Sequence, residues 1–418
     1  MVENKPKIYL DYGATTPLDE EVFLAMKPYF SEKFGNASSL HQFGMEAAEA
    51  VVGARETVAG FLNCEPSEVI FTSGATEGNN AVIKSFNRAV NNQKPHVIVS
   101  AIEHDCVLAS AERLEKEGLA EISRISVDRE GIVEVGELKK AIKENTVLVS
   151  VMYVNNEIGT VQPIEEIGKM LAEINKGRQN KICFHTDAAQ ATNYFSCDVK
   201  KLGVDFLTLS AHKIYGPKGV GALFVRRGAP FQKFMDGGEQ EFKFRAGTHN
   251  TPGIVGLGAA IRKVQSEKFK VYPEPSRRVK SLQDLRDKLI NGVLDKVSGA
   301  ALNGSLEKRS PNNVNFRFEG VEGEAMLVSL DLEGIAVSTG SACAAKSLNP
   351  SHVLLAMGLN HLQTHSSLRF SLGRFTTEAE IDKVLEVLPR VVEKLRAISG
   401  NFKGEGVERG KLPDNFGC

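Results

Sequence analysis

Short runs of apolar, β-branched residues alternate with longer amphipathic segments along much of this 418-residue chain. Most of the runs are apolar throughout, which is typical of strands that are buried on both faces of a sheet. We predict strands at 69–71, 96–102, 147–154, 182–186, 206–210 and 221–225, and helices at 79–90, 108–117, 135–144 and 164–174. Strands that alternate with helices predict an α/β fold with a doubly wound, mostly parallel sheet.

A change in composition at residues 266–281 separates this pattern from a different one. The segment contains two prolines and many charged residues. Beyond it we predict helices at 282–297, 323–332 and 378–398, with strands at 314–318 and in the run SLRFSLG. We therefore expect a large α/β domain over 15–265, a smaller α+β domain built from 1–14 and 266–400, and a flexible tail over 401–418.

Charge and hydropathy exclude several classes of protein. Lys and Arg number 51 against 52 Asp and Glu, so the chain has no cationic excess with which to bind a nucleic-acid backbone. No apolar run approaches the roughly 18 residues that a membrane-spanning helix needs. The first residues show no secretory signal. The 6 Cys are scattered without a C-x-x-C pair, which argues against a zinc site or a disulfide framework and predicts a reducing cytoplasm.

Polar or small residues follow five of the predicted strands. Because ligands of open parallel sheets bind beyond the carboxyl ends of the strands, these residues are candidates for one site. The turn in TSGATEGNN opens directly into a helix, whose free N–H groups and dipole suit a phosphate. The other strand ends carry Glu103 and His104; Asn155, Asn156 and Glu157; Asp187 and Gln190; and His212 and Lys213.

Each of these residues alone is commonly a helix cap or an ordinary loop residue, so the combination carries the interpretation. A nicotinamide cofactor would require G-x-G-x-x-G after the first strand, and a nucleoside triphosphate would require G-x-x-x-x-G-K-[ST]; neither is present in the right place. Pyridoxal phosphate fits every group. Lys213 would form the Schiff base, and Asp187 would keep the pyridinium nitrogen protonated.

A second group of candidate residues lies in the predicted smaller domain. Cys343 stands among Ser, Thr, Gly and Ala residues, where a loop could carry a reactive thiol, and Lys346 could favour its thiolate. Arg369 lies on a predicted strand, from which a guanidinium can grip a carboxylate with two parallel hydrogen bonds; Arg374 is a weaker candidate. The remaining cysteines are expected to be core residues (Cys64, Cys106, Cys183, Cys197) or part of the tail (Cys418).

Several longer motifs occur in a specific order along the chain. The sequence resembles the group I cysteine desulfurases, of the nitrogen-fixation and iron–sulfur-assembly type, within the class V aminotransferase-like enzymes of pyridoxal-phosphate fold type I. The likeness extends from Ile8 to about Ile398. Its motifs are IYLDYGATTP, FGNASSLH, IFTSGATEGNN, VNNEIGTVQPI, HTDAAQ, SAHKIYGPKGVGAL, RAGTHN, STGSACAA and SSLRFSLGRFTT.

The resemblance implies a cofactor role for each matching residue. The cofactor phosphate is expected to contact Ala75, Thr76, Ser210 and His212. His104 would stack on the ring, and Asn155 and Gln190 would contact the ring oxygen. Thr248 resembles the residue that reaches the phosphate of a partner subunit, which implies a homodimer with shared sites.

The resemblance also implies a reaction, the conversion of L-cysteine to L-alanine with transfer of sulfur to Cys343 as a persulfide. Asn36, Asn155 and Arg369 would hold the substrate carboxylate. Lys213 would remove the α-proton, and His104 would move a proton to or from the substrate thiol. The sulfur would pass to an acceptor or an iron–sulfur scaffold protein, and any link to nucleic acid would be indirect, through tRNA thiolation. No resident metal is expected, although a transient iron–sulfur ligand role for Cys343 stays open.

Two alternatives and three departures accompany this interpretation. The alternatives are a selenocysteine lyase or another β-eliminating lyase with the same cofactor, and a sulfur-relay protein with little catalysis. The segment 174–181 is longer than is usual in the family, and Ala rather than Thr or Ser follows Cys343. The tail after Ser399 does not resemble the scaffold-docking end of the iron–sulfur-assembly enzymes.

Overall fold

A computed structural model describes residues 7–88, 93–269, 277–339 and 350–401 of the chain. Within them, seven strands form one large sheet, numbered here in chain order. Only β8 runs antiparallel to its neighbours, and the other adjacent pairs are parallel. In spatial order the strands are β2 (Val69–Thr72), β8 (Gly221–Val225), β7 (Phe206–Ser210), β6 (Cys183–Asp187), β5 (Thr146–Ser150), β3 (His96–Ser100) and β4 (Glu121–Ile125).

Helices flank this sheet and confirm the predicted α/β fold class. They include α4 and α5, which begin several residues before the predicted starts at 79 and 108, so the turns after β2 and β3 are themselves the first turns of helices. The helices of this part of the chain are α1 (Glu20–Met26), α2 (Pro28–Ser31), α3 (Gln42–Leu62), α4 (Ala75–Lys84), α5 (Asp105–Lys116), α6 (Val135–Ala141), α7 (Ile164–Asn175), α8 (Val199–Leu202) and α9 (Thr251–Phe269).

Successive residues of the strands pack into different hydrophobic clusters. Val97 and Val99 belong to one cluster, whereas Ile98 between them belongs to another. Side chains of a strand alternate between the two faces of its sheet, so both faces of this sheet are covered. Burial on both faces explains why the strand sequences are apolar at successive positions instead of alternating with polar residues. The strand β4 lies at the sheet edge with two exposed positions, and its mixed sequence EISRI gave no prediction.

A second core is formed by the C-terminal part of the chain with the first described residues. Ile8 and Leu10 pack into it, and the short strands β1 (Ile8–Tyr9) and β11 (Ile335–Ala336) pair in parallel. An antiparallel sheet has the order β12 (Ser367–Ser371), β10 (Asn313–Phe318) and β9 (Ala300–Asn303). The helices here are α10 (Arg277–Lys296), α11 (Gly323–Leu332), α12 (His352–Ala356), α13 (His361–His365) and α14 (Glu378–Asn401).

The proposed domain limits stay predictions, although helix α9 continues to Phe269, past the expected boundary at 265. Cys343, Lys346 and Cys418 lie outside the described residues. Among the helices of the described ranges, none has the length and apolar character to cross a membrane. The same ranges contain no group of three or more His, Cys, Asp or Glu side chains arranged to hold a metal ion.

Candidate active site

A cavity of about 580 Å³ opens beyond the carboxyl ends of the parallel strands. Residues from the turns after β2, β3, β5, β6 and β7 line it, together with the segment 13–15 and Arg369 of β12. Most of the residues expected at the strand ends therefore line the same cavity. Those that line the cavity are Ala75, Thr76, His104, Asp187, Gln190, Ser210, His212, Lys213 and Arg369.

The first turn of helix α4 forms one end of the cavity. Gly74 precedes the helix with a φ of 150°, a backbone conformation that favours glycine, and no side chain caps the helix there. The exposed N–H groups of this turn and the helix dipole attract an anion. Ser210 lies beside it, since a Cβ added to Gly74 would stand 3.7 Å from the Ser210 hydroxyl oxygen. This end suits a phosphate.

His212 lies near the same end of the cavity. Its Nδ1 atom is 3.1 Å from the hydroxyl oxygen of Thr15. Burial, followed by the positive charges of Lys213 and Lys218, lowers the pKa of His212 to about 4. At neutral pH its ring is therefore uncharged, so it can serve a phosphate as a hydrogen-bonding group but not as a cation.

Asp187, the last residue of β6, is held in place by two hydrogen bonds. Asn79 donates to its Oδ2 at 2.6 Å, and the backbone N–H of Ala189 donates to its Oδ1 at 2.9 Å. Asn79 is fully buried, one turn inside helix α4. These two hydrogen bonds fix the orientation of the Asp187 carboxylate, which lines the cavity. A carboxylate that binds a pyridinium nitrogen must face the cofactor in this way.

Lys213 ends a short 3₁₀ turn, Ala211–Lys213, directly after β7. Its Nζ donates to the carbonyl oxygens of Gly13 at 2.5 Å and Ala14 at 2.8 Å. Gln190 donates to the same Gly13 carbonyl at 2.9 Å. The backbone at Gly13 and Ala14 therefore positions both the Lys213 amine and the side-chain amide of Gln190.

His104 caps the amino end of helix α5. The backbone N–H of Cys106 donates to its Nδ1 at 3.2 Å, and the Cys106 sulfur lies 3.1 Å from the same nitrogen. Burial and the nearby Asp187 charge raise the pKa of the Cys106 thiol to about 12. Cys106 packs against a core cluster, as expected, and it also lines the cavity as a neutral thiol.

Arg369 lies on β12 with its side chain only 2% exposed. It donates to Asp11 at 2.7 Å and to the backbone carbonyl of Asn156 at 2.9 Å. These contacts fix the direction of the guanidinium at the wall of the cavity. Arg369 therefore lines the cavity while its positive charge is paired with the carboxylate of Asp11.

Three of the expected residues do not line this cavity. The Asn155 amide is buried and bonds elsewhere: it donates to the carbonyl of Ile102 and accepts the N–H groups of Glu157 and Ile158. It therefore shapes the turn that carries Asn156, and its predicted contacts with cofactor and substrate find no support in this geometry. Asn36 and Thr248 are exposed and lie outside the cavity lining.

The buried polar side chains of Ser100, Glu103, Ser150 and His185 lie in and directly after strands β3, β5 and β6, and of these only Glu103 was named from the sequence. Glu103 accepts hydrogen bonds from Ser100 and from the N–H of Met152, both at 2.6 Å. Ser150 lies 2.8 Å from Nδ1 of His185. Burial raises the pKa of Glu103 to about 8 and lowers the pKa of His185 to about 4, so both side chains are uncharged at neutral pH.

Comparison with known proteins accounts for this arrangement. The model of the aminotransferase class-V family matches residues 8–384. The chain belongs to this family. Enzymes of the class-V family depend on pyridoxal phosphate, which confirms the cofactor that the sequence predicts.

Relatives within the class-V family are cysteine desulfurases. The chain is 48% identical over 395 residues to cysteine desulfurase IscS of Dictyoglomus turgidum, which covers 94% of this chain and 97% of the relative. It is 47% identical to cysteine desulfurase IscS of Methanosarcina thermophila, over 95% of this chain and 94% of the relative. The expected resemblance is thereby confirmed.

Two solved structures share the fold of this chain. A NifS-like protein superposes with a TM-score of 0.84 at 35% identity, over 93% of this chain and all of that chain. The structure described as SspA in complex with cysteine superposes with a TM-score of 0.75 at 36% identity, over 88% of this chain and all of that one. The predicted fold type is confirmed.

Three groups that line the cavity fit pyridoxal phosphate. The uncapped start of α4 could hold the phosphate, the carboxylate of Asp187 could accept the proton of the ring nitrogen, and the amine of Lys213 could form the Schiff base. These three groups supply the donors, the acceptor and the nucleophile that this cofactor needs.

Proposed function

We propose that this protein is a pyridoxal-phosphate-dependent cysteine desulfurase, which converts L-cysteine to L-alanine and transfers the sulfur to its own cysteine. The observation that carries the proposal is the grouping of Lys213, Asp187 and His104 around one cavity with a phosphate-binding helix start. Relatives at 47% and 48% identity that bear this activity support it.

The residues that line the cavity have separate roles in binding the cofactor under this proposal. Backbone N–H groups at Ala75 and Thr76, with Ser210 and His212, would hold the phosphate. When bound, the cofactor supplies an electron sink that weakens bonds at the substrate's α and β carbons. Asp187, held by Asn79, would keep the ring nitrogen protonated, which strengthens that sink.

The protein's own groups carry out the proton transfers and orient the substrate. Lys213 is held beside the cavity by two backbone carbonyls and is the base for the α-proton. Arg369 supplies the cation for the substrate carboxylate, and its contacts with Asp11 and Asn156 prevent it from turning away. Cys343, outside the described residues, is proposed as the nucleophile that accepts the sulfur.

The partners of the protein are also proposals. Between residues 23 and 52, eight large apolar side chains are 48% or more exposed (Phe23, Leu24, Phe30, Phe34, Leu40, Phe43, Met45, Val52). So much exposed apolar surface in one part of the chain favours a subunit contact. Together with the exposed Thr248, it supports a homodimer with shared sites. An acceptor or scaffold protein would then receive the sulfur.

We further propose a reducing, cytoplasmic location. The four described cysteines, Cys64, Cys106, Cys183 and Cys197, are free thiols. Cysteines remain free in this way in reducing compartments, and a transferable persulfide requires such conditions.

Two substitutions test the activity directly. Purified wild-type protein should show the absorbance of a lysine-bound cofactor and release L-alanine from L-cysteine. Lys213→Ala should lose that absorbance band, whereas Cys343→Ala should keep it and release neither alanine nor sulfide. Cys64→Ala, a half-buried thiol away from the cavity, is the matched control and should behave as wild type. Wild-type turnover in Cys343→Ala would refute transfer through that thiol, and turnover of selenocysteine alone would favour a selenocysteine lyase.

A further inference from the structure

Glu77 places a carboxylate at the start of helix α4, where the cofactor phosphate is expected to bind. It is the third residue of the helix, it lines the cavity, and its side chain is only 9% exposed. Its Oε2 accepts the backbone N–H of Ser73 at 2.8 Å, which holds the turn before the helix. The proposed mechanism gives this acidic side chain no role, although an anion must bind beside it.

A carboxylate at this position opposes the binding of a phosphate. Like charges repel each other, and the repulsion is stronger where little water separates them. Burial alone would raise the pKa of Glu77, but hydrogen bonds from Arg245 and Ser73 lower that pKa below its usual range. The side chain is therefore ionised at neutral pH. A cation that offsets its charge would favour phosphate binding.

The rest of the cavity makes this charge more important. Among the described residues that line it, carboxyl side chains outnumber the side chains of Lys and Arg. His212, near the expected phosphate position, is uncharged at neutral pH because its pKa is lowered to about 4. An anionic cofactor therefore enters a cavity whose own lining has no surplus of positive charge among those residues.

Arg245 supplies a cation from outside the cavity lining. Its Nε donates to Oε1 of Glu77 at 3.0 Å, and one of its terminal nitrogens lies 3.5 Å from Oε2. The arginine side chain is 24% exposed, and the residue is not part of the described lining. Two parallel contacts with one carboxylate fix the orientation of a guanidinium. Its charge therefore acts on the phosphate site through Glu77.

We propose that Arg245 is a positioning residue for the cofactor phosphate, which acts by pairing with Glu77. The pair offsets the charge of the carboxylate while leaving it free to hold the Ser73 N–H. This inference rests on the proposed function only for the identity of the cofactor. Binding of the cofactor therefore tests it without any turnover.

The two partners of the pair are expected to respond with opposite signs. Arg245→Gln leaves an unbalanced carboxylate beside the phosphate, so pyridoxal phosphate should bind about tenfold more weakly, the lower end of the effect that a neighbouring charge has on an ionised group. Glu77→Gln keeps an acceptor for the Ser73 N–H without the charge. It should bind pyridoxal phosphate at least as tightly as wild type. A purely structural ion pair would instead lose affinity when either partner is replaced.

Equilibrium dialysis with two ligands measures these effects. Pyridoxal lacks the phosphate but keeps the ring and the aldehyde, so Arg245→Gln should bind it as wild type does. Combining Glu77→Gln with Arg245→Gln removes the ion pair without leaving a charge, and affinity for pyridoxal phosphate should return close to that of wild type. Arg124→Gln, from the exposed pair with Glu115, is the matched control and should bind both ligands normally.

The outcomes distinguish this proposal from the proposed function. If wild-type protein does not bind pyridoxal phosphate, the proposed function fails. If wild type binds it and Arg245→Gln loses affinity equally for pyridoxal phosphate and pyridoxal, the function stands and the charge role of Arg245 is overturned. A double variant as weak as Arg245→Gln also overturns it. If Arg245→Gln does not fold, weaker binding of pyridoxal phosphate by Glu77→Gln overturns the proposal by itself.

Discussion

At the scale of single residues, the hydrogen bond from Asn79 to Asp187 leads to a specific prediction. Asn79→Ala removes the 2.6 Å contact that orients the carboxylate. Hydrogen bonds to charged groups contribute about 1.5–3 kcal/mol, so we expect cofactor affinity to fall by roughly tenfold or more. Equilibrium dialysis of the cofactor measures this.

The neighbouring residue provides the control. Asn80 donates to the carbonyl of Thr76 and has no contact with Asp187. Asn80→Ala should therefore leave cofactor affinity close to that of wild type. Equal losses in the two variants would show that the helix, rather than the Asp187 contact, determines affinity.

Glu103 predicts a pH dependence of stability. Burial raises its pKa from 4.5 to about 8, so the folded protein keeps a proton that the unfolded chain releases. Its stabilising contribution is complete below pH 4.5 and is lost as the pH rises to about 8. Glu103→Gln keeps an uncharged side chain, so its stability should increase relative to wild type over that interval.

Denaturant unfolding at a series of pH values measures this difference. The surface variant Glu115→Gln, from the exposed pair with Arg124, should show the wild-type pH dependence. A Glu103→Gln midpoint that changes with pH in parallel with wild type would contradict a buried, protonated Glu103.

Residue type and position after a strand were enough to predict that Lys213, Asp187, His104 and Gln190 lie at one cavity, whereas their roles stay predictions. They were not enough for Asn155, because whether an amide faces a cavity or bonds to its own turn depends on local hydrogen bonds. Asn79, Cys106 and His352 were missed for a related reason. The first two project from inside helices, and His352 reaches the cavity only through the packing of two distant parts of the chain.

At the scale of elements, two helical glycines predict opposite effects of substitution. A Cβ on Gly168 of α7 would stand 2.2 Å from the carbonyl oxygen of Leu202, at the contact with α8. Backbone must move to admit it, so Gly168→Ala should destabilise by about 1–3 kcal/mol or more. A Cβ on Gly53 of α3 meets nothing within 4 Å, and Gly53→Ala should stabilise by about 0.5–1 kcal/mol.

Thermal unfolding of the two variants compares them directly. A lower melting temperature for Gly168→Ala with a higher one for Gly53→Ala is expected. Equal melting temperatures would mean that the close approach of α7 to α8 is not required for folding.

Elements with strong patterns were predicted from the sequence, and weak ones were not. Helix α11 has the predicted bounds, and six of the seven strands of the large sheet were predicted. Two of those predictions ran too far, over 101–102 and 151–154, where the chain turns toward the site. The edge strand β4 and the short strands β1, β9 and β11 have little apolar pattern. Their pairing depends on partners far away in the sequence.

At the scale of the whole molecule, the apolar surface at 23–52 predicts a subunit contact. Leu40 is 95% exposed, and Leu40→Asp should weaken a homodimer because the charge would be buried at the contact. Leu362→Asp, at an 80% exposed leucine of α13, should have no such effect. Sedimentation equilibrium should give twice the 45.5 kDa chain mass for wild type and for Leu362→Asp.

A wild-type protein that sediments as a single chain would contradict the homodimer. The roles of Thr248 and Asn36 depend on that outcome, because neither residue lines the cavity of its own chain. Such roles follow from family resemblance alone, since no feature of one chain's sequence says which surface meets a second copy.

The most direct measurement is the intact mass of the protein after incubation with L-cysteine, followed by fragmentation to find the modified residue. We predict one additional sulfur atom on Cys343 in the wild-type protein and none in Lys213→Ala. Formation of alanine with no sulfur retained on any cysteine, or the same sulfur uptake in Lys213→Ala, would contradict a cofactor-dependent transfer of sulfur at this site.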